Sequence, residues 1–433
     1  MLSQSLAKKR GIKVLDESWD FRLANTKCNN HGFHTYPAMM IPQIAQRLIE
    51  EYGKDTRVML DPFMGSGTSL LEAELHKQFR LVYGIDINPL ARLIAKVKTT
   101  PIATNQLLNG YNKLSEAIKK ERKTIKLKQK DLKTPQFYNI NFWFKPEVIL
   151  DLTIIKNSIN HLNLKGKNKE DVIDFFKVAF SETIRNVSNT RNREFKLYKM
   201  SEESLKKHNP NTIEVFFKKA QENISSMKEG ASSLHDLQIS ILNEDSRLKT
   251  SIPSESVDLI LTSPPYGDSR TTVAYGQFSR LALQWLDFDY NYVKNIDKIS
   301  LGGVRSKNLD VKLNSDTLKK IIHIIAEKDE ARAKDVLSFY EDFFLCIKEF
   351  DRVMRKGGKL CFVVGNRTVK GINIPTDEII VELFENAGDY THIKTIIRNI
   401  PSKRMPKSNS PTNIKGALES TMNKEFIIIL NKD

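Results

Sequence analysis

The chain has 433 residues, and its 68 lysines and arginines outnumber its 52 acidic residues, which gives a formal net charge of +16. A surplus of this size favours a polyanionic partner such as nucleic acid, although a merely solvated basic surface is the simpler alternative. No apolar run reaches about 18 residues, so a membrane span is not expected, and three cysteines in so long a chain point to a reducing compartment.

The N-terminal region contains one group of spaced ligand-type residues. Cys28, His31 and His34 follow one another at three-residue spacing, but no fourth ligand comes after them, so no metal site is expected. The segment 34–38 contains Tyr36 and Pro37, and the apolar spacing that follows it predicts a helix over 41–49.

A strand, a glycine-containing turn and a helix are predicted next. The strand covers 57–60 and the helix runs through 70–75. Glycines in such a turn let the backbone approach a ligand closely because no Cβ intrudes, and the helix N-terminus adds N–H donors. The segment that joins the two elements reads Asp61, Pro62, Phe63, Met64, Gly65, Ser66, Gly67 and Thr68.

An acidic residue ends the next predicted strand, over 81–85. Asp86 lies about 20 residues after Gly67, where an acid at the tip of the second strand accepts hydrogen bonds from both hydroxyls of a ribose. The alternative is that Asp86 caps the helix predicted over 90–98. Asn88 lies in the same turn.

The middle of the chain has a different pattern. Lysine-rich amphipathic stretches over 101–235 predict a mainly helical insertion between the two parts of an α/β domain, residues 31–100 and 236–433. Residues 185–193 are rich in hydrogen-bond donors that suit phosphates. Two interpretations of the insertion remain open. It either binds DNA and recognises the target, or it forms a structural cover over the sheet.

The most informative stretch follows a strand predicted over 257–261. Residues 262–266 read Thr-Ser-Pro-Pro-Tyr, and two prolines cannot continue a hydrogen-bonded ladder. The strand therefore ends in a stiff loop with a hydroxyl, backbone carbonyls and an aromatic ring, at the strand end where open α/β sheets bind ligands. A flat ligand that donates hydrogen bonds fits this set of groups, and a nucleobase with an exocyclic amine is such a ligand.

The C-terminal part is predicted to carry binding segments and to complete the sheet. Residues 267–276 are polar with two glycines and predict a mobile lid, while 295–334 form a second basic candidate for target recognition. The glycines after the helix at 339–354 predict a glycine C-cap. Further predicted elements are a strand over 237–242 that ends near Asp245, strands over 359–366, 393–400 and 425–430, a helix over 376–387, and a basic loop over 401–407 that reaches a phosphate backbone.

Together these motifs resemble those of the DNA amino-methyltransferases, which methylate an exocyclic amine with S-adenosyl-L-methionine. The loop 263–266 resembles motif IV, 61–68 resembles motif I, 34–38 resembles motif X and the acid at Asp245 resembles motif III. The resemblance implies an α/β fold with a Rossmann-like sheet, an antiparallel last strand and a mainly helical insertion. It also implies that the strands over 393–400 and 425–430 form an antiparallel hairpin at the edge of the sheet. It implies a cofactor site formed by Tyr36, Pro37, Asp61, Phe63, Gly65, Ser66, Gly67, Thr68, Asp86, Asn88 and Asp245, and a catalytic loop formed by Ser263, Pro264, Pro265 and Tyr266.

The serine form of motif IV resembles the cytosine-N4 enzymes more than the adenine-N6 enzymes. Ser263 Oγ and the Pro264 carbonyl would accept the hydrogens of the target amine, and Tyr266 would stack on a base flipped out of double-stranded DNA. A C5-cytosine mechanism needs a cysteine after a proline, and no cysteine here follows one.

The resemblance also implies a biological setting, namely a cytoplasmic, nucleoid-associated modification enzyme of a bacterial or archaeal restriction–modification system with a cognate endonuclease. Three alternatives remain open. They are an adenine-N6 DNA enzyme, an enzyme that methylates a base amine of RNA, and a catalytically silent nucleic-acid-binding protein.

Overall fold

A computed structural model gives the architecture of the chain. It describes residues 11–128, 134–191, 194–230, 237–401, 408–409, 419–420 and 422–433. The predicted fold class is confirmed, because these residues form a mostly parallel central sheet with helices packed against it.

The strands are β1 (Ile12–Leu15), β2 (Val58–Asp61), β3 (Leu81–Ile85), β4 (Gln238–Leu242), β5 (Val257–Thr262), β6 (Met354–Gly365), β7 (Thr368–Val369), β8 (Ile372–Asn373), β9 (Tyr390–Asn399), β10 (Ser408–Asn409), β11 (Glu419–Ser420) and β12 (Lys424–Lys432). Eight of them form one sheet in the order β1-β9-β12-β6-β5-β2-β3-β4. In this sheet β12 is antiparallel to both of its neighbours, and the other pairs are parallel.

The helices are α1 (Pro42–Tyr52), α2 (Thr68–His76), α3 (Pro89–Thr99), α4 (Thr104–Lys128), α5 (Ile140–Trp143), α6 (Pro146–Asn160), α7 (Lys169–Val187), α8 (Glu202–Lys207), α9 (Thr212–Gly230), α10 (Tyr275–Trp285), α11 (Tyr290–Ile299), α12 (Asp316–Lys328), α13 (Glu330–Val353) and α14 (Thr376–Ala387). None of them, within the residues described, is long and apolar enough to cross a membrane.

The centre of the sheet is apolar on both faces. Every residue of β2 and β5 is buried, as expected for parallel strands that helices cover on both sides. The acidic exceptions are Asp61, at the end of β2, and Asp258, near the start of β5. The Asp258 carboxylate accepts hydrogen bonds from the backbone N–H of Arg57 (2.6 Å) and Val58 (2.9 Å), so this buried acid ties β5 to the start of β2.

The insertion packs on the sheet domain through a shared core. Phe175 and Phe176 of α7 belong to the same buried cluster as Leu90 of α3 and Phe278 of α10. The ring of Phe175 lies edge-on to that of Phe33, with the ring centroids 5.7 Å apart. The described part of the insertion therefore covers the helices on one side of the sheet.

Two sequence predictions about the sheet and its helices are wrong. The helix predicted over 339–354 begins earlier, at Glu330, and has no glycine C-cap, because β6 starts at Met354 and contains both Gly357 and Gly358. The hairpin of β9 and β12 is not the edge of the sheet, since β1 pairs with β9 on its outer side. All four residues of β1 are exposed.

Candidate active site

The carboxyl ends of β2 to β5 open on one cleft. Its empty space is about 1050 Å³ including the open mouth, which is ample for a small-molecule ligand. The residues predicted for the site that line it are Tyr36, Pro37, Asp61, Phe63, Gly65, Ser66, Thr68, Asp86, Asn88, Asp245, Ser263 and Pro265. Of the residues predicted for the site, Gly67, Pro264 and Tyr266 do not belong to the wall that the described residues form.

The turn between β2 and α2 needs its glycines. Gly65 (φ +49°) and Gly67 (φ +77°) both adopt left-handed conformations that side chains disfavour. A Cβ on Gly67 would also lie 2.7 Å from the Cβ of Ala95 in α3. Gly67 therefore shapes the turn from behind the cavity wall, and Gly65 forms part of the wall itself.

Asp61 fastens this turn to β5. Its carboxylate accepts hydrogen bonds from the Phe63 N–H (3.0 Å), the Thr262 hydroxyl (2.6 Å) and the Ser69 hydroxyl. Burial raises the pKa of Asp61 to about 6, although these hydrogen bonds oppose the shift. Asp61 lines the cleft as predicted, but its oxygens are directed to the protein, so its main role here is to hold the turn.

Asp86 stands at the tip of β3 and faces the cleft. One carboxylate oxygen accepts from the Gly65 N–H (3.0 Å) and the other from the Asn88 N–H (2.7 Å), so each oxygen keeps a lone pair for a further donor. Burial raises the pKa of Asp86 to about 6. The alternative role as a helix cap is wrong, because the Asn88 side chain caps α3 by accepting from the Leu90 N–H (3.1 Å).

An aromatic wall faces the glycine turn. The ring of Tyr36 stacks on that of Tyr275 with centroids 5.9 Å apart, and its edge meets Phe278 at 5.7 Å. The Asn88 amide donates to the Tyr36 hydroxyl at 3.0 Å. Tyr36 is thus fixed from two sides, by a residue of the β3–α3 turn and by residues of α10.

The insertion holds the segment that carries Tyr36. Glu182 of α7 accepts hydrogen bonds from the Thr35 N–H and the Thr35 hydroxyl, both at 2.9 Å. The Glu182 carboxylate also lies 3.2 Å from His34 Nδ1. One acid of the insertion therefore fixes the two residues that precede Tyr36 and joins the insertion to the wall of the cleft.

The two histidines of the N-terminal spacing pattern are buried against carboxylates of helices. His31 Nε2 lies 2.7 Å from the Glu72 carboxylate of α2, while His34 faces α7. Burial lowers the pKa of His31 to about 3, so its ring is neutral near pH 7 and acts as a hydrogen-bonding group. These contacts give both histidines a structural role in anchoring the N-terminal segment.

A chain of hydrogen bonds runs behind the loop 263–266. The Tyr266 hydroxyl donates to Glu425 Oε1 at 3.1 Å and lies 3.2 Å from Ser263 Oγ, while Arg398 pairs with Glu425. Burial, followed by the neighbouring carboxylate of Glu425, raises the pKa of Tyr266 well above its usual value, so the phenol stays protonated. Because a phenol has one hydrogen and Glu425 receives it, the Ser263 hydroxyl donates to Tyr266 and keeps its lone pairs free.

The ring of Tyr266 does not belong to the cleft wall that the described residues form. It packs beside β6, where a Cβ on Gly365 would come within 2.8 Å of the ring. In this arrangement Tyr266 supports Ser263 from behind, and Ser263 and Pro265 are the members of the loop that line the cleft.

Asp245 lines the cleft beyond β4 but is held by an arginine. Arg247 Nη2 lies 2.6 Å from Asp245 Oδ2, and Arg247 Nη1 lies 3.0 Å from Asp342 Oδ2. Asp245 therefore reaches the cleft as a member of an ion-pair network.

The segment predicted as a mobile lid is anchored in the structure. Asp268 is fully buried, pairs with Arg367 at 2.8 Å and accepts from the Thr271 N–H at 3.0 Å. At the other end Asp297 of α11 accepts from the Gly276 N–H at 2.7 Å. The cleft is also lined by Met39, Met40, Glu244 and Arg247, which sequence reasoning missed. Residues of the two segments predicted as a lid and as a candidate for target recognition line it too, namely Ser269, Val273, Tyr275, Ile296, Ile299, Ser300 and Leu301.

The two basic segments predicted to contact phosphates are described only in part. Asn192 and Arg193 of the donor-rich segment, and residues 402–407 of the basic loop, lie outside the described residues. Within the described part of the first segment, the Arg185 guanidinium lies over the ring of Phe278, 4.4 Å from its centroid. This arginine therefore packs on the aromatic wall.

Comparisons with known proteins agree with the motifs. Residues 3–96 match the family model of N6/N4 methyltransferases, described as DNA methylase. The Type II methyltransferase M.MvaI of Kocuria varians is 44% identical over 449 residues, which span 99% of this chain and 97% of that protein. The Type II methyltransferase M.MjaII of Methanocaldococcus jannaschii is 35% identical over 96 residues, or 21% of this chain and 17% of that protein. Among solved structures, an rRNA methyltransferase, aviRa from Streptomyces viridochromogenes, covers 78% of this chain and 80% of its own at 11% identity, with a TM-score of 0.28.

Proposed function

The chain belongs to the N6/N4 amino-methyltransferase family of DNA methylases, and we propose that it transfers a methyl group from S-adenosyl-L-methionine to the N4 amine of cytosine in double-stranded DNA. The observation that carries the proposal is that the glycine turn, Asp86 and Ser263 line one cleft. We infer that Asp86 acts there as the acid that binds a nucleoside and that Ser263 acts in the same cleft as the hydroxyl that binds an amine.

The residues of the cleft suit S-adenosyl-L-methionine, which supplies an electrophilic methyl group when bound. Asp86 offers a free lone pair on each oxygen to the two ribose hydroxyls. Gly65 leaves the backbone of the turn open toward the cleft, since a Cβ there would fill space 3.5 Å from the Tyr36 ring. The stacked rings of Tyr36 and Tyr275 give the cleft a flat apolar side.

The loop 263–266 suits an amine that is a poor nucleophile. The lone pair of the cytosine amine is delocalised into the ring, so acceptors for its hydrogens help to direct that lone pair toward the methyl group. Ser263 Oγ is prepared for this role because its own hydrogen is given to Tyr266, and the Pro264 carbonyl is the second acceptor that the loop offers. Neither serine nor a protonated tyrosine is a strong base, so the amine loses its proton late, to solvent.

Positioning then accounts for most of the catalysis, as in other direct transfers between bound partners. The target base leaves the duplex to reach the cleft, and the net charge of +16 favours binding of the DNA backbone. Because M.MvaI and M.MjaII are both Type II methyltransferases, we propose that this chain modifies a specific sequence beside a cognate endonuclease in the cytoplasm. Adenine-N6 is the second candidate target, since the same acceptors fit its amine.

A transfer assay tests the proposal. The protein is incubated with S-adenosyl-L-methionine that carries a labelled methyl group and with duplex DNA or RNA, and Asp86→Ala and Ser263→Ala are compared with Ser300→Ala, a matched serine variant of the cleft wall. We expect label in DNA, loss of cofactor binding in Asp86→Ala, intact cofactor binding with little transfer in Ser263→Ala, and near-normal transfer in Ser300→Ala.

Label in RNA alone would refute the proposed substrate. Normal transfer by both Asp86→Ala and Ser263→Ala would refute the proposed site.

A further inference from the structure

Four arginines surround the segment that follows the loop 263–266. They come from the segment itself, from the connection between α11 and α12, from α13 and from the turn after β6. We call them the arginine cluster, which comprises Arg270, Arg305, Arg332 and Arg367.

Two buried acids hold this cluster in place. Asp335 is 1% exposed and lies 2.7 Å from Arg305, 2.8 Å from Arg332 and 3.8 Å from Arg270. Arg367 pairs with the second acid, Asp268, at 2.8 Å. Two carboxylates therefore face four guanidinium groups.

The cluster keeps an excess of positive charge and of donors. Besides the two acids, the Thr271 hydroxyl accepts from Arg332 at 3.0 Å and from Arg367 at 3.4 Å. Nearby Lys370 pairs with Asp329 at 2.9 Å, so that pair adds no net charge. The two acids thus orient the guanidinium groups and balance only two of their four charges.

The position of the cluster relates it to the cleft. Ser269 lines the cleft, and the next residue, Arg270, has 43% of its side chain exposed. Arg305 is 37% exposed. Arg270 follows Ser263 by seven residues, and Arg305 comes four residues after Leu301, which also lines the cleft, so both exposed arginines lie close to its rim. A base in the cleft stays attached to its backbone, so its flanking phosphates must pass this rim.

We propose that the arginine cluster binds the backbone phosphates that flank the flipped target base, with Arg270 and Arg305 as the contacting residues. Planar guanidinium groups match phosphate oxygens in paired hydrogen bonds. This inference rests on the proposed function and adds to it a second contact region, separate from the residues that bind the cofactor and the amine.

The salt dependence of DNA binding tests the proposal. Affinity for a short fluorescent duplex is measured by anisotropy for wild type, Arg270→Gln, Arg270→Lys and Arg305→Gln, with Arg80→Gln as a control because Arg80 is exposed at the opposite ends of the strands. Each lost phosphate contact reduces the slope of log affinity against log salt by about 0.9. The advantage of wild type over Arg270→Gln should therefore shrink about threefold between about 50 and 200 mM salt.

Arg270→Lys should retain most of the slope, and Arg80→Gln should match wild type. Arg270→Gln decides the test, because the Arg270 side chain is exposed and its contact with Asp335 is long. A titration with S-adenosyl-L-methionine confirms that each variant is folded. An unchanged slope in Arg270→Gln, or an equal loss in Arg80→Gln, would overturn the proposal. If wild type transfers no methyl group to DNA, the proposed function fails instead, which separates the two outcomes.

Discussion

Replacing Tyr266 by phenylalanine tests how the protein prepares Ser263. The change removes one oxygen, which donates to Glu425 at 3.1 Å and lies 3.2 Å from Ser263 Oγ. The Ser263 hydroxyl then loses this acceptor and no longer directs its lone pairs into the cleft.

The size of the effect follows from one neutral hydrogen bond. Such a bond contributes about 0.5–1.5 kcal/mol, and about 1.4 kcal/mol corresponds to a tenfold change in rate. We therefore expect Tyr266→Phe to lower kcat by about 3- to 10-fold. Ser263→Ala removes the acceptor itself and should lower kcat by about 100-fold, by analogy with the loss of one group that stabilises a transition state.

Single-turnover methyl transfer with saturating cofactor and DNA measures these effects. Since Tyr266 acts through Ser263, adding Tyr266→Phe to Ser263→Ala should lower the rate little further. Tyr340→Phe is the matched control, because it removes a buried phenol that donates to Thr376 at 3.2 Å, and it should leave kcat unchanged. Wild-type kcat in Tyr266→Phe, or full multiplication of the two losses in the double variant, would refute this reasoning.

Three further predictions concern the cofactor side of the cleft. Burial raises the pKa of Asp86 to about 6, so its carboxylate becomes protonated as the pH falls through that value. Calorimetric titration should therefore show weaker S-adenosyl-L-methionine binding at about pH 5 than at about pH 7. Gly67→Ala should lower the thermal unfolding midpoint more than Gly371→Ala, because both glycines have φ near +76° to +77° but only the first would clash, with Ala95. Glu182→Ala should weaken cofactor binding and lower the free energy of unfolding by about 1–3 kcal/mol, since two donors of the segment next to the cleft lose their acceptor. Chemical denaturation measures the loss of stability, and the same calorimetric titration measures cofactor binding.

Sequence patterns were sufficient for the central strands of the sheet. Apolar runs predict β3 and β5, and the glycines and prolines of the motifs mark the strand ends that meet at the cleft. Because each motif follows its strand directly, local sequence also placed Asp86 and Ser263 on the wall.

The features that were missed depend on contacts between distant parts of the chain. Glu182 is 147 residues from Thr35, and Glu425 is 159 residues from Tyr266, so no local spacing links them. The anchoring of the segment after Tyr266 likewise depends on Arg367, which lies in the turn after β6. Polar composition suggested mobility there, whereas buried ion pairs hold the segment.

The identity of the methylated nucleoside tests the central claim most directly. DNA is incubated with the protein and labelled S-adenosyl-L-methionine, digested to nucleosides and analysed by mass spectrometry, with Ser263→Ala as the control. We predict label on N4-methylcytosine that is lost in the variant. Label on N6-methyladenine would contradict the assignment of the base, and absence of label from DNA while the cofactor still binds would contradict the proposed reaction.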